Sequence, residues 1–434
     1  MTRKNIINNI IPAIVVELMF LIYNLADTFF IAQTNDPLQV AAVSLASPAF
    51  MILGAVGVMF MVGGLSCISR ALGAGKKDYA NNIASFSIWS GALFGFLMAG
   101  VLMFFMSKIV YSIGASKDTF KFTYDYLSIV VCSTPATIVA MSCSGIMRAE
   151  NHPSGAMLGQ IIGNFINIIL DPIMILYFDW GITGAAIATV IGNLSGMIFY
   201  LGYFLSGRSQ MKISPRYMKF TPEIFYIGIP ACLDPVLMSV SQMILNSLMS
   251  AYGDMAVAAN GVAMRIEHIA IILAMGTGQG VQPVLGFFVG AKGWKEYKDV
   301  LKFALKFACS LSLIVIVTCF IFANEIARIF LIEPVAFNYA VDFVRIFLIS
   351  SMFFSIFFIF INALQAMGAG RASFILSISR QCLIYVPAML ILNYFYGAYG
   401  LIIALPVAES ISLLQTYFVY GKVIFNPALL TEHF

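Results

Sequence analysis

Twelve runs of about twenty or more mostly apolar residues, each long enough for one membrane crossing, follow one another along the chain. They lie near 6–32, 39–66, 82–106, 122–147, 154–178, 182–206, 222–250, 256–285, 300–323, 337–366, 373–396 and 400–421. No other feature constrains the fold as strongly. A bilayer core offers no water to a bare backbone, so runs of this length must close their hydrogen bonds internally, as helices. Several exceed 25 residues, which implies tilted or bent helices. Only 10% of the 434 residues are charged, against about 25% in a soluble domain. The expected class is therefore an all-α integral membrane protein of twelve transmembrane helices. The net charge of +4 is small and spread between the helices, so membrane lipid is an expected partner and nucleic acid is not. Arg3 and Lys4 precede the first run as in a signal peptide, but the run is longer than a signal h-region and no small-residue cleavage site closes it.

Lys and Arg in the short connections set the orientation. Sixteen fall on one side and four on the other. The first side is expected to be cytoplasmic, with both termini inside a cytoplasmic (inner) membrane. The seven cysteines form no CxxC pair and read as small buried packing residues.

The halves of the chain echo each other at a nearly constant offset, close to half its length. Pro12 opens the first run and Pro230 the seventh. The Gly73-Ala74 pair after the second run returns as Gly290-Ala291 after the eighth, and Met147-Arg148-Ala149 returns as Leu364-Gln365-Ala366. Between the halves lies the basic stretch 207–221. The expected organisation is a first lobe at 1–206, a cytoplasmic linker at 207–221 and a second lobe at 222–434. Six crossings per lobe give both the same direction of entry into the membrane, hence a pseudo-two-fold along the membrane normal.

Polar residues inside the runs suggest a site. The first run holds Glu17, Asn24 and Asp27 after Pro12. A carboxylate at a helix centre costs about 2.5–3.5 kcal/mol on insertion scales and by default marks function. In the fifth run Asn164, Asn167 and Asp171 stand at i, i+3 and i+7, on one helical face, ahead of Pro172. In the sixth, Thr189 and Asn193 are four apart. Carboxylates, amides and a hydroxyl are hard oxygen donors, suited to Na⁺ or to a proton held between acids. Asn164, Asn167 and Thr189 could equally be hydrogen-bonding helix to helix, a reading that fits Asp27 and Asp171 poorly because unpaired carboxylates are so costly there. In the second half, Arg265, Glu267 and His268 form a candidate ionisable cluster, and Glu409 lacks an evident partner. No P-loop spacing and no nucleophile–base set appears, so neither ATP nor an enzymatic reaction is expected.

These landmarks resemble the multidrug and toxic compound extrusion (MATE) transporters, in a DinF-like or related bacterial drug-exporter branch. The resemblance covers nearly the whole chain. It rests on Pro12 with Asp27 fifteen residues later, the SRALGAGKKDYA segment after the second run, and Asn167-x-x-x-Asp171-Pro172. It implies a V-shaped fold of two lobes, alternating access, and export of cationic, amphipathic small molecules in exchange for H⁺ or Na⁺. No cofactor is expected, and the expected working unit is a monomer. The resemblance also implies a first-lobe cation site, with Na⁺ as one candidate, at Asp27, Asn167, Asp171 and Thr189. The residue pattern, rather than the resemblance, adds Glu17, Asn24, Asn164 and Asn193 as additional polar lining, Glu17 having no counterpart in the family pattern; the resemblance makes Pro12 a hinge. One branch of the family carries an acid eleven residues after the seventh-helix proline; that position here is Ser241, so no second-lobe cation site is implied. A flippase for lipid-linked or polysaccharide precursors is the alternative on a related fold. It would need a strongly cationic cavity, and Arg265 and Arg345 are the main cations noted in the runs.

Overall fold

Proline and left-handed residues set the ends of the helices. In this computed structural model, which describes residues 3–330 and 333–425, α1 (Arg3–Ala32) ends before Asn35, whose φ is 54°. Asp36 then caps α2 (Pro37–Gly73), accepting from the Leu38 amide at 3.0 Å, with Pro37 in the first turn where no amide is needed. The remaining helices of the first half are α3 (Lys77–Phe104), the short α4 (Met106–Ser112), α5 (Lys117–Cys132), α6 (Thr134–Ala149), α7 (Pro153–Pro172) and α8 (Gly181–Leu205). The second half holds α9 (Glu223–Met249), α10 (Asp254–Gly290), α11 (Trp294–Ile321), the short α12 (Ala323–Phe330), α13 (Pro334–Ala366), α14 (Gly370–Ile378) and α15 (Val386–Phe425). The end of the expected second lobe, 426–434, lies outside the described residues.

Among the described residues, ten helical stretches are long and apolar enough to cross a membrane. The pair α5 and α6, bent by 46° at Ser133 just ahead of Pro135, makes one more. The last stretch, Gly370–Ile424, is broken at Gly397, whose φ of 59° and ψ of −138° are not helical. Divided there, the described residues give the twelve crossings that the apolar runs imply.

The repeat is visible in the backbone. Asn35 and Gly253, Gly75 and Lys292, and Asn151 and Gly368 all have positive φ, and each pair is separated by the offset of the sequence repeat. The short helices α4 and α12 begin at that offset too, at Met106 and Ala323. Each half therefore makes the same turns at the same places, although only some of the turn residues are glycine.

Two compact units comprise Val15–Cys232 and, separately, Met1–Ile14 with Leu233–Phe434. Their limits differ from 1–206 and 222–434 in a particular way: the first fourteen residues fall with the second half, and the linker with the start of α9 falls with the first. In the unit containing Leu233–Phe434, Ile6 and Ile10 join a core with Val281, Leu285 and Tyr297. In the unit Val15–Cys232, Ile224 and Ile227 of α9 pack in the core of α2 and α3, and Arg70 pairs with Glu223 at 2.8 Å. The linker is held down rather than loose. Asn81 accepts from the Lys212 amide at 2.9 Å, and Glu150, in the turn after α6, accepts from Ser209 and from the Gln210 and Met211 amides. Burial pushes the Glu150 carboxyl up, and these donated bonds act against that.

The buried reading of the cysteines holds only for Cys67 and Cys143: Cys232, Cys309 and Cys319 are half-buried, and Cys132 and Cys382 are exposed. The outer surface of a membrane helix is itself apolar, so a cysteine there needs no burial.

The approach of α7 to α8 fixes the geometry of the candidate site. Gly159 and Gly163 of α7 face Gly192 and Gly196 of α8. A β-carbon at Gly192 would lie 2.7 Å from the Gly163 carbonyl oxygen, and one at Gly163 would lie 2.9 Å from that of Gly192. Small residues at such positions let helix backbones touch. Gly192→Val is expected to destabilise the protein by about 1–3 kcal/mol through overpacking. Gly202→Ala on the same helix, where nothing lies within 4 Å, should stay within about 0.5 kcal/mol. Thermal unfolding of the two purified variants in detergent checks this; equal stability of both would show that the contact is not tight.

Candidate ion-binding site

The polar face of α7 turns inward. Asn164, Asn167 and Asp171 are buried, while Phe165 and Ile169 between them are exposed. One helical face thus collects the polar groups and the other meets lipid, as the i, i+3, i+7 spacing requires. Pro172 supplies no amide to the Ile168 carbonyl. The helix loosens there into a π turn, Ile173–Tyr177, in which the Phe178 amide reaches back to the Ile173 carbonyl at 2.9 Å.

Across the glycine contact, Thr189 of α8 comes to Asn167. The Asn167 Nδ2 donates to Thr189 Oγ1 at 3.4 Å and reaches Asp171 Oδ1 at 3.5 Å, both at the long end for hydrogen bonds. Tyr23 of α1 lies 3.5 Å from the Thr189 hydroxyl and within electrostatic reach of both Asp27 and Asp171. Asp27 is 8% exposed and Asp171 fully buried, and the two carboxylates are close enough to feel each other's charge. Asp27, Asn167, Asp171 and Thr189 are therefore brought together within the unit Val15–Cys232.

Three oxygens in this group are left without a partner: Asp27 Oδ1, Asn167 Oδ1 and Asp171 Oδ2, each shielded from solvent. Orphaned acceptors are costly in an apolar interior. Two carboxylates with no cation paired to them among the described residues, a carboxamide oxygen and a hydroxyl fit a hard monovalent cation or a proton. Among the described residues, no group of three or more His, Cys, Asp or Glu could hold a metal ion, so amide and hydroxyl oxygens would have to complete any ion's shell.

The additional polar residues do not all join the group. Asn24 is exposed and bonds back to the Phe20 carbonyl at 2.7 Å. Asn193 donates to Thr137 of α6 at 3.1 Å, tying two helices. Asn164 accepts from Gln160 at 3.1 Å, with its own Nδ2 unpartnered. Glu17 is half-buried and within electrostatic reach of Arg148 at the end of α6. Pro12 is buried inside α1, which runs through it unbroken. Tyr23 and Tyr126 were not anticipated. Both are buried and within electrostatic reach of Asp27 and Asp171. For Tyr23 the signal was there, four residues before Asp27 and so on its face.

In the other unit, the expected group of Arg265, Glu267 and His268 does not assemble. Arg265 and His268 share an exposed face, and Glu267, about 200° around the helix from Arg265, is buried against Ser350 of α13. The buried cation is Arg380, in a π-helical stretch Ser379–Tyr385 between α14 and α15. Its Nη1 donates to Glu409 at 2.7 Å and its Nη2 contacts Asp234 at 3.4 Å. Its guanidinium also lies 4.8 Å from the Phe357 ring centre and 5.3 Å from that of Phe354. A single Arg in the otherwise apolar run SFILSISRQCLIYV was the signal for this pair, and it supplies the partner that Glu409 lacked.

Such an array defines a class: a multi-pass helical membrane transporter with buried polar sites. The MatE family model matches the chain twice, over residues 12–173 and 230–391, so that each match begins at a proline of the internal repeat. The chain belongs to the MatE family, a transporter family and not a family of enzymes. It is 31% identical over 411 residues to the multidrug export protein MepA of Staphylococcus aureus (strain MRSA252), covering 93% of this chain and 90% of that one. A crystal structure of a MATE protein in complex with MaL6 superposes with a TM-score of 0.93 at 24% identity, covering 98% of this chain and 96% of that one. An outward-facing multidrug resistance MATE transporter does so at 0.92 and 25% identity, with coverage of 98% and 96%.

The Arg380 pair gives a stability prediction. Arg380→Met strands two buried carboxylates and is expected to cost about 3–5 kcal/mol, whereas adding Glu409→Gln to it should recover a large part of the loss. Thermal unfolding of the single and double variants measures this, and additive losses would contradict the pairing.

Proposed function

We propose that this protein is a secondary multidrug exporter that exchanges cationic, amphipathic compounds for H⁺ or Na⁺ by alternating access. The observation that carries the reading is the set of orphaned oxygens on Asp27, Asn167 and Asp171. Buried acids without a counter-charge ask for a cation from solution. Asp27, Asn167, Asp171 and Thr189 would hold the proton or a Na⁺, and cation binding there would favour one arrangement of the transporter while drug binding favours the other. The multidrug export function named for the staphylococcal relative supports the substrate class. The outward-facing relative supports alternation.

The energetics are adequate. Moving a population from 1:99 to 99:1 needs about 5.5 kcal/mol of differential binding. One carboxyl whose proton affinity changes a hundredfold between arrangements supplies about 2.7 kcal/mol, so two acids suffice and one does not. Pro12, with no amide to give the helix, would be the place where α1 bends. The chain would work as a monomer in the cytoplasmic (inner) membrane, with both termini on the cytoplasmic side, as the bias of Lys and Arg requires. Arg380 weighs against the flippase alternative, because its guanidinium is already engaged by Glu409 and Asp234 and is not free to hold a phosphate.

Asp27→Asn and Asp171→Asn are each expected to abolish drug-driven cation exchange in proteoliposomes while leaving a folded protein. Transport of a panel of cationic dyes under separately imposed pH and Na⁺ gradients identifies the ion. Full exchange by both variants would remove these acids from the coupling.

A further inference from the structure

Charged side chains recur along one face of α11 and continue past the level where the apolar part of the helix begins. Glu296, Asp299, Lys302 and Lys306 are all exposed. At about 100° per residue they fall, with Val300 and Phe303, within an arc of about 160°. The helix is unbroken from Trp294 to Ile321. Its last part, 302–321, spans about 30 Å at a rise of about 1.5 Å per residue, which is the thickness of a hydrocarbon core. Lys302 therefore stands at the edge of that core and Lys306 about 6 Å inside it. Trp294, at the head of the helix, is exposed, as aromatic residues at the headgroup level are.

The start of α1 supplies a second wall. Arg3 and Ile6 join these α11 residues in lining a cavity of about 350 Å³, within the unit that contains both Met1–Ile14 and Leu233–Phe434. That volume lies at the lower end of the range for small-molecule sites, about 300–1,000 Å³. Ile6 and Val300 are buried and Phe303 is half-buried, so the cavity has apolar as well as charged surface.

The charges are ordered by depth. As the first and ninth crossings, α1 and α11 run in the same direction. Arg3, Glu296 and Asp299 belong to the outer end of the cavity, and Lys302 and Lys306 to its deep end. Among the described residues none of these five groups forms an ion pair. Lys302 and Lys306, one turn apart, repel each other. An ammonium at the edge of hydrocarbon also reaches back toward the interface for a counter-charge. An anion seated between the two lysines answers both demands.

We propose that this groove binds a phospholipid with a primary ammonium headgroup, phosphatidylethanolamine. Its phosphate sits between Lys302 and Lys306, and its ammonium meets Glu296 and Asp299. The order of the charges selects this class. From the membrane outward, such a lipid presents acyl chains, then a phosphate, then an ammonium, and α11 presents lysines and then carboxylates in the same sequence. Phosphatidylglycerol would satisfy the lysines and bring no cation to the carboxylates. Phosphatidylcholine would bring a cation with no N–H to donate. Arg3 closes the phosphate site from the α1 side, so a bound lipid ties the start of α1 to α11. The site takes a membrane lipid, not the exported compound or the coupled ion, and stands whether or not Asp27 and Asp171 couple transport.

The test is native mass spectrometry of the full chain, released from vesicles of equal parts phosphatidylethanolamine, phosphatidylglycerol and phosphatidylcholine. The native chain should retain phosphatidylethanolamine above the other two. Lys302→Ala and Lys306→Ala should each lower that retention about fivefold, the effect of one basic side chain at a membrane surface. Glu296→Gln/Asp299→Asn should erase the preference over phosphatidylcholine and leave a lipid bound. Lys298→Ala, at an exposed lysine of the same helix outside the cavity, should change nothing. Preferential retention of phosphatidylglycerol by the native chain would show simple attraction of anionic lipid and overturn the proposal. Equal retention of all three lipids overturns it as well, with no variant needed. A loss in Lys298→Ala as large as in Lys302→Ala would trace the effect to general surface charge and overturn the site.

Discussion

A buried carboxylate must be neutralised, and the two halves of this duplicated chain meet that demand differently. In the first half Asp27 and Asp171 have no cationic residue paired with them among the described residues, and three oxygens of the group stay unsatisfied. In the second half Arg380 is built in between Glu409 and Asp234. A charge that the protein supplies itself is permanent, whereas one taken from solution comes and goes. On the proposed reading, that contrast places exchange with the surroundings in the first half.

Packing makes these sites definite. Asn167 meets Thr189 because the glycines of α7 and α8 let the two backbones close to contact, and Asp171 stays inside because the same helical face carries every polar residue of the i, i+3, i+7 set on α7. Pro172 and the π turn after it end the regular ladder next to Asp171, where an irregular backbone is tolerable only beside protein or a polar cavity. Arg380 also sits in a π-helical stretch, so both buried ionic groups adjoin a local widening of the helix. Such single-turn widenings are frequent at functional sites.

Much of this was legible in the sequence. Apolar run length implied twelve crossings, and a repeat offset read from a few landmarks reappears as paired positive-φ residues and as two family matches. The face of α7 followed from spacing alone. What periodicity could not give was the partner of each residue across helices. Asn24 shares a nominal face with Asp27 yet bonds to its own backbone, and Asn193 turns to Thr137 rather than to Asp171. The group Arg265, Glu267 and His268 failed for a related reason: adjacency in sequence is not adjacency around a helix. Arg380 escaped because its partners come from helices 146 and 29 residues away in the chain, a relation that no local pattern encodes.

The central claim is that the acids of α1 and α7 hold a cation that the exported compound displaces. It is tested most directly by adding a cationic dye to the purified protein in weakly buffered detergent solution and measuring the protons and Na⁺ released. The account predicts release from the native chain on dye binding, and its loss in Asp27→Asn and in Asp171→Asn with dye binding retained. Dye binding that releases no cation from the native chain, or the same release from both variants, would contradict it.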